Sequence, residues 1–432
     1  MLASPRRLHP ILELASTASR AWDLPPRQAQ EAPELCPRVG GGRSETDMKF
    51  GIFYEHSVQR PWTETSEWRV YHQALEQICL ADELGFDQVW EVEHHFLEEY
   101  SHSPAPEVFL SAAAAMTENI HIGQGIALCL PQVNHPARVA ERAAALDIIS
   151  NGRLEFGTGR AATWTELGGF QVEPDDTKDM WDEVIRAIPH MWTNEIAGWD
   201  GKYFSMPERA IIPKPVQKPH PPMWVAVSSP ETAIQAAERG MGLLGVSIGT
   251  PAQYEQRIAD YRRVIRNADP VGKFVNNQVN GVGWMYTGET DEEALALGGA
   301  GAMAFMSAAA HLVGVGSIYP SPAYSSQASA IQLRDRPGDV INPLQQGTPI
   351  GNPDTVIAAL RQWEEIGVDR MVFLINFDQV VPHEKILASL RLFAREVMPA
   401  FEEPERAPLT RLPDFNAVEE VGLLAAAGGG GD

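Results

Sequence analysis

The stretch Gly85-Phe86-Asp87-Gln88-Val89-Trp90-Glu91-Val92-Glu93-His94-His95-Phe96 decides the fold. Its apolar centre reads as a buried strand that runs straight into a carboxylate and two imidazoles. The helical spacing of 66–84 stops at Gly85, the residue type that most readily adopts the left-handed C-cap conformation. Helix, glycine stop, strand and polar cluster thus follow one another as in an α/β enzyme, where reacting groups sit at the C-terminal ends of strands.

Outward from this stretch the pattern repeats. Short apolar runs at 50–54, 86–92, 120–128, 154–158, 223–227, 242–246, 281–286 and 370–375 read as eight strands. Helical spacing covers 66–84, 136–150, 179–193, 230–239, 254–266 and 353–366. Pro136, Pro230 and Pro353 fall where a first-turn proline is tolerated, and Asn352 precedes the last of them as a capping residue. Eight strands alternating with helices predict an α/β chain folded as a (β/α)8 TIM-type barrel with insertions; an open doubly wound sheet is the alternative. No Gly-x-Gly-x-x-Gly follows an early strand, which removes the usual dinucleotide signature.

Two stretches exceed one helix per strand. The Pro-rich segment 198–220 reads as a loop with a hairpin around Tyr203-Phe204. The Ala/Ser/Gly/Pro-rich segment 298–343 reads as a long, lid-like insertion. Residues 1–47, rich in Arg, Pro and Ala, read as a disordered N-terminal extension, with Met48 as the functional beginning. Glu13, Asp23, Glu31 and Glu34 weigh against a transit peptide there. Residues 48–401 form the expected barrel domain and 402–432 a C-terminal tail.

The 432 residues carry a formal charge of −23, which repels nucleic acid and anionic lipid, so neither is an expected partner. No apolar run approaches the ~20 residues of a membrane span. Cys36, Cys79 and Cys129 show neither disulfide nor zinc spacing, and the expected location is the reducing cytoplasm.

Several of these segments together resemble the bacterial-luciferase-like flavin monooxygenases. Met48 to Tyr54 is similar to that family's first strand, and Glu93-His94-His95-Phe96 to the end of its second. Asn134 to Glu141, Ser150 to Gly157, Pro213-Lys214-Pro215, Pro219 to Pro222, Ala236 to Gly240 and Ile350 to Pro353 extend the resemblance over roughly 48–401. It implies a monooxygenase that uses reduced FMN (FMNH2) and O2, through a flavin C4a-hydroperoxide, on a small hydrophobic organic substrate. It further implies a separate flavin reductase as partner and a homo-oligomer. An F420-dependent hydride-transfer oxidoreductase is the alternative, and a non-catalytic flavin-binding subunit a second one.

By that resemblance His94 is the catalytic residue, near the reactive edge of the flavin; an imidazole titrates near working pH. Arg160, after Gly157-Thr158-Gly159, and Ser229 and Thr232, at a helix start, offer a guanidinium, hydroxyls and exposed amides for the FMN phosphate. Ser228 stands where family members often carry an acidic residue. Gly125–Ile126 matches a non-prolyl cis peptide that the family places against the isoalloxazine ring. Gly159 stands where luciferases proper have a reactive cysteine, which argues against light emission. Glu93 is expected to orient an imidazole. Glu91, Glu93, Glu98 and Glu99 with His94, His95 and His102 fit no metal-ligand spacing, so no metal site is expected.

Overall fold

The computed structural model describes residues 48–161, 163–246, 250–305, 307–308, 347–375 and 379–402. The N-terminal extension over 1–47, most of the insertion expected over 298–343 and all but the first residue of the tail lie outside these residues.

Eight parallel strands close into a barrel: β1 (Lys49–Tyr54), β2 (Gln88–Glu91), β3 (His121–Leu128), β4 (Leu154–Gly159), β5 (Met223–Val227), β6 (Gly242–Val246), β7 (Val279–Trp284) and β8 (Arg370–Leu374). Each pairs with its sequence neighbour, and β1 closes the ring on β8 through Lys49↔Arg370 to Phe53↔Leu374. The open-sheet alternative is thereby excluded. Parallel strands covered on both faces are predominantly apolar, which is why these runs do not alternate strictly.

The helices start and stop where local chemistry dictates. Ser66–Leu84 ends at Gly85 with φ 87°, whose N–H returns to the last turn. Pro136, Pro230, Pro251 and Pro353 open four helices, and Asn352 caps the last by accepting from Thr355 N at 3.0 Å. Helices Pro106–Met116 and His383–Leu392 are additional to those the sequence predicts. The first is Ala-rich and half exposed, so its periodicity is weak. The hairpin expected within 198–220 is present, slightly earlier, as Ile196–Asp200 paired with Ser205–Ala210.

Packing fills the barrel interior. Trp90 fills the interior: a Cβ on Gly123 would lie 2.2 Å from its ring, and one on Gly157 3.2 Å. Below it Gln88 Oε1 accepts from Trp90 Nε1 and, across the barrel, from Asn280 Nδ2, both at 2.9 Å. Trp224 donates to Glu155 at 2.7 Å. The interior is a packed core rather than a pore, which leaves the C-terminal rim for chemistry.

One expectation is corrected here. The peptide bonds in cis among the described residues all precede proline, at Pro61, Pro213 and Pro219, so Gly125–Ile126 is trans. The β3–β4 register instead shifts between Gln124 and Ala127. This bulge bends the strand and re-aims its side chains without the roughly 3–4 kcal/mol that a non-prolyl cis bond costs.

Candidate active site

The chain leaves β2 at Glu91 and continues through Val92 and Glu93 to His94, on the C-terminal rim. His94 N donates to Ser103 O at 2.9 Å, which fixes the backbone. The imidazole lies between two carboxylates. Nδ1 is 2.8 Å from Glu166 Oε1, and Nε2 is 3.8 Å from Glu55 Oε2. Glu166 is fully buried and is held in turn by the Thr163 hydroxyl at 3.0 Å and the His95 N–H at 3.3 Å. Tyr100 donates to Glu55 Oε1 at 3.2 Å, while Glu55 Oε2 has no hydrogen-bond partner among the described residues.

His95 takes a separate partner. Its Nε2 is 3.2 Å from Glu93 Oε1, and Glu93 accepts from Leu128 N at 2.8 Å and Asn134 Nδ2 at 2.7 Å. Glu93 therefore orients an imidazole, as expected from the sequence, but that of His95. His94 is oriented by Glu166, a residue far along the chain.

Charge follows from this geometry. Burial disfavours the His94 cation, but the carboxylates of Glu166 and Glu55 overcome it and raise the pKa to about 9. Burial also tends to raise Glu166, yet His94, Thr163 and the His95 amide hold it below the usual value. For Glu55 burial prevails over His94 and Tyr100, and its carboxyl is pushed up to about 7. At neutral pH the site holds an imidazolium–carboxylate pair beside a carboxyl poised to exchange a proton.

The predicted phosphate-binding residues lie on the same rim. Arg160 follows the last residue of β4, and its Nη1 donates to Thr177 Oγ1 at 2.9 Å. Thr177 opens the helix Thr177–Thr193. Ser229 caps the helix Pro230–Glu238 after β5, accepting from Thr232 N at 3.2 Å, and its hydroxyl is 3.0 Å from that of Thr232. Lys178 and Glu231 pair at 3.3 Å and tie the two helix starts together. A guanidinium, three hydroxyls and two helix starts thus lie on the same rim. Gly125 and Ile126 lie on β3, between the strands that lead to His94 and to Arg160, at the register shift. A Cβ on Gly159 would come 2.7 Å from Ile126 Cδ1, so the glycine lets that side chain rest on the rim.

Arg160, next after β4, and Glu166, bonded to His94, are both on this rim. A family model described as luciferase-like monooxygenase matches residues 48–370. The chain belongs to this family. Its members carry the same barrel: the monooxygenase RslO1 of Streptomyces bottropensis superposes with a TM-score of 0.67 at 28% identity, over 82% of this chain and 100% of that one. The flavin-dependent trigonelline monooxygenase, oxygenase component, of Acinetobacter baylyi is 25% identical over 82% of this chain and 96% of its own length. An F420-dependent glucose-6-phosphate dehydrogenase of Amycolatopsis mediterranei is 28% identical over 40% of this chain and 53% of its own length. At 33% and 31% identity, the first curated relatives are matched over 54% of their length.

Glu55, Tyr100, Glu166 and Thr177 were not among the predicted site residues. Glu55 directly follows β1, and the strand-end rule that singles out His94 applies to it equally. Thr163-x-x-Glu166 is a helix-start pattern, which disguises the second role of the carboxylate. Among the described residues no three His, Cys, Asp or Glu side chains are arranged to hold a metal ion, and no helix is long and apolar enough to cross a membrane.

Proposed function

We propose that this chain is the oxygenase of a two-component system, taking reduced FMN from a separate flavin reductase and oxygenating a small hydrophobic substrate with O2. The observation that carries this reading is the clamp on His94, with Glu166 at 2.8 Å and Glu55 at 3.8 Å, on the rim that also bears Arg160 and Thr177. Reduced FMN, when bound, supplies the two electrons with which dioxygen is activated.

The residues of this chain would act as follows. Arg160, Thr177, Ser229 and Thr232 hold the phosphate and so set the depth of the ring. Gly125 and Ile126 form the wall against the ring. His94, protonated at neutral pH, offers a proton from Nε2 towards the reacting edge, while Glu166 keeps its charge balanced. Glu55, whose Oε2 is 3.8 Å from Nε2, is a source from which that proton is replaced. Tyr100 and Phe305, with ring centroids 5.3 Å apart, cover this corner with apolar surface and limit the access of water.

The family resemblance and the trigonelline relative, an oxygenase component, support FMN and a reductase. The F420-dependent relative supports the second reading, anaerobic hydride transfer. The two separate in one experiment. The protein is supplied either with FMN, NADH and a flavin reductase in air, or with reduced F420 without oxygen, each with a panel of hydrophobic substrates. Oxygenated product in the first arm is the expected result. Substrate-dependent oxidation of F420 in the second arm alone would replace FMN chemistry with hydride transfer. Silence in both would favour a non-catalytic flavin carrier.

A further inference from the structure

Beyond the imidazole clamp the rim carries another buried polar group without a hydrogen-bond partner among the described residues. Trp284 ends β7, and only 5% of it is exposed, yet its Nε1–H meets no acceptor among the described residues. Its direction follows from the strand. Asn280 reaches across the barrel interior to Gln88, and alternation puts Trp284, four residues on, on the same inward face. Register places it level with Leu374 and, through β8, with Phe53. Glu55 lies two residues beyond Phe53, on the same alternation. The Trp284 ring packs on Phe305 at 6.3 Å, and Phe305 on Tyr100 at 5.3 Å. Tyr100 in turn bonds Glu55 and lies 5.8 Å from the His94 ring.

An unpaired indole N–H in a buried place costs the desolvation of a donor, so it is normally satisfied. The aromatic wall beside it favours a flat apolar body over a water cluster. We propose that Trp284, Phe305 and Tyr100 form the substrate subsite, and that it takes an aromatic or conjugated ketone whose carbonyl oxygen accepts from Trp284 Nε1. The ring lies along Phe305 and Tyr100, and the far end of the molecule points to His94 and Glu55. This subsite deepens the monooxygenase reading, since it defines what would stand beside the flavin. An aliphatic substrate would gain little from the wall, and one without an acceptor would leave the indole N–H unpaired.

The test is an equilibrium one and needs no turnover. The full chain is titrated by calorimetry with 2-acetylnaphthalene and with 2-ethylnaphthalene, which has the same shape without the oxygen. The measurement is made with and without saturating oxidised FMN, for the parent and for Trp284→Phe. The expected result is that Trp284→Phe lowers the ketone-to-hydrocarbon affinity ratio about 2- to 10-fold, the worth of one neutral hydrogen bond. In the parent, the indole N–H resonance that is missing from the Trp284→Phe spectrum moves on adding the ketone and not the hydrocarbon.

Three results would overturn the proposal: an unchanged affinity ratio in Trp284→Phe, an indole resonance that ignores the ketone, or a loss of FMN affinity in Trp284→Phe, which would make the N–H a cofactor contact. Because binding is read with no reductase or oxygen present, failure of the oxygenase reading would appear only in the turnover experiment.

Discussion

Glu166 Oε1 lies 2.8 Å from Nδ1 of His94, though 72 residues separate them in the chain. The same oxygen accepts from the His95 N–H, so one buried carboxylate fixes both the ring and the backbone beneath it. The pair resembles other carboxylate–imidazole arrangements in which the carboxylate sets the tautomer and the second nitrogen does the chemistry.

Removing that carboxylate should shift a titration rather than merely weaken the fold. With His94 raised to about 9 by Glu166 and Glu55, turnover that needs the protonated imidazole falls off on the alkaline side near that pH. In Glu166→Gln the descending limb moves to lower pH, and the His94 ring signal in NMR titrates lower as well. A limb that stays in place would show that His94 is not the titrating acid.

His94→Ala should lower turnover by about two to four decades, the usual worth of a positioned acid. FMN affinity should stay within about threefold, because the imidazole partners Glu166 and Glu55 and not the residues proposed to hold the phosphate. Flavin fluorescence quenching measures the second quantity and product formation the first.

Arg160→Ala should do the reverse. A charge-assisted bond contributes roughly 1.5–3 kcal/mol, so the FMN dissociation constant should rise about 10- to 100-fold. At saturating FMN the turnover number should recover most of its parental value. Thr177, which bonds Arg160 at 2.9 Å, should show a smaller effect of the same kind when changed to Val.

Stability should depend on pH through Glu55. Its carboxyl is raised from 4.5 to about 7, chiefly by burial, so the folded protein retains a proton there that the unfolded chain sheds. The linked stability is full below about 4.5 and is lost as pH rises through 7. Urea unfolding of the parent and of Glu55→Gln across this range should show the parent losing ground to the variant with rising pH. Parallel curves would mean that Glu55 titrates normally.

Gly123→Ala should destabilise the barrel by about 1–3 kcal/mol, since its Cβ would meet the Trp90 ring at 2.2 Å. Chemical denaturation should show a lower midpoint with an unchanged slope.

The sequence by itself determined the barrel. All eight apolar runs became its strands, because a parallel strand buried on both faces is written locally as a continuous apolar segment. Gly85, Pro136, Pro230 and Asn352 likewise encode helix ends through their own backbone preferences. The placement of His94, Arg160, Ser229 and Thr232 on one rim was legible because each lies just beyond the end of a strand or in the helix start that follows it, and parallel strands deliver all their ends to one rim. Only the tertiary structure decided which side chains meet there. Glu166, Tyr100, Thr177 and Trp284 acquire their meaning from partners 17 to 72 residues away or from neighbouring strands. Nothing in their local pattern sets them apart from a helix cap or a core aromatic. The Gly125–Ile126 bond illustrates the same limit: its geometry was settled by a register shift against β4, a property of two strands together and not of either alone.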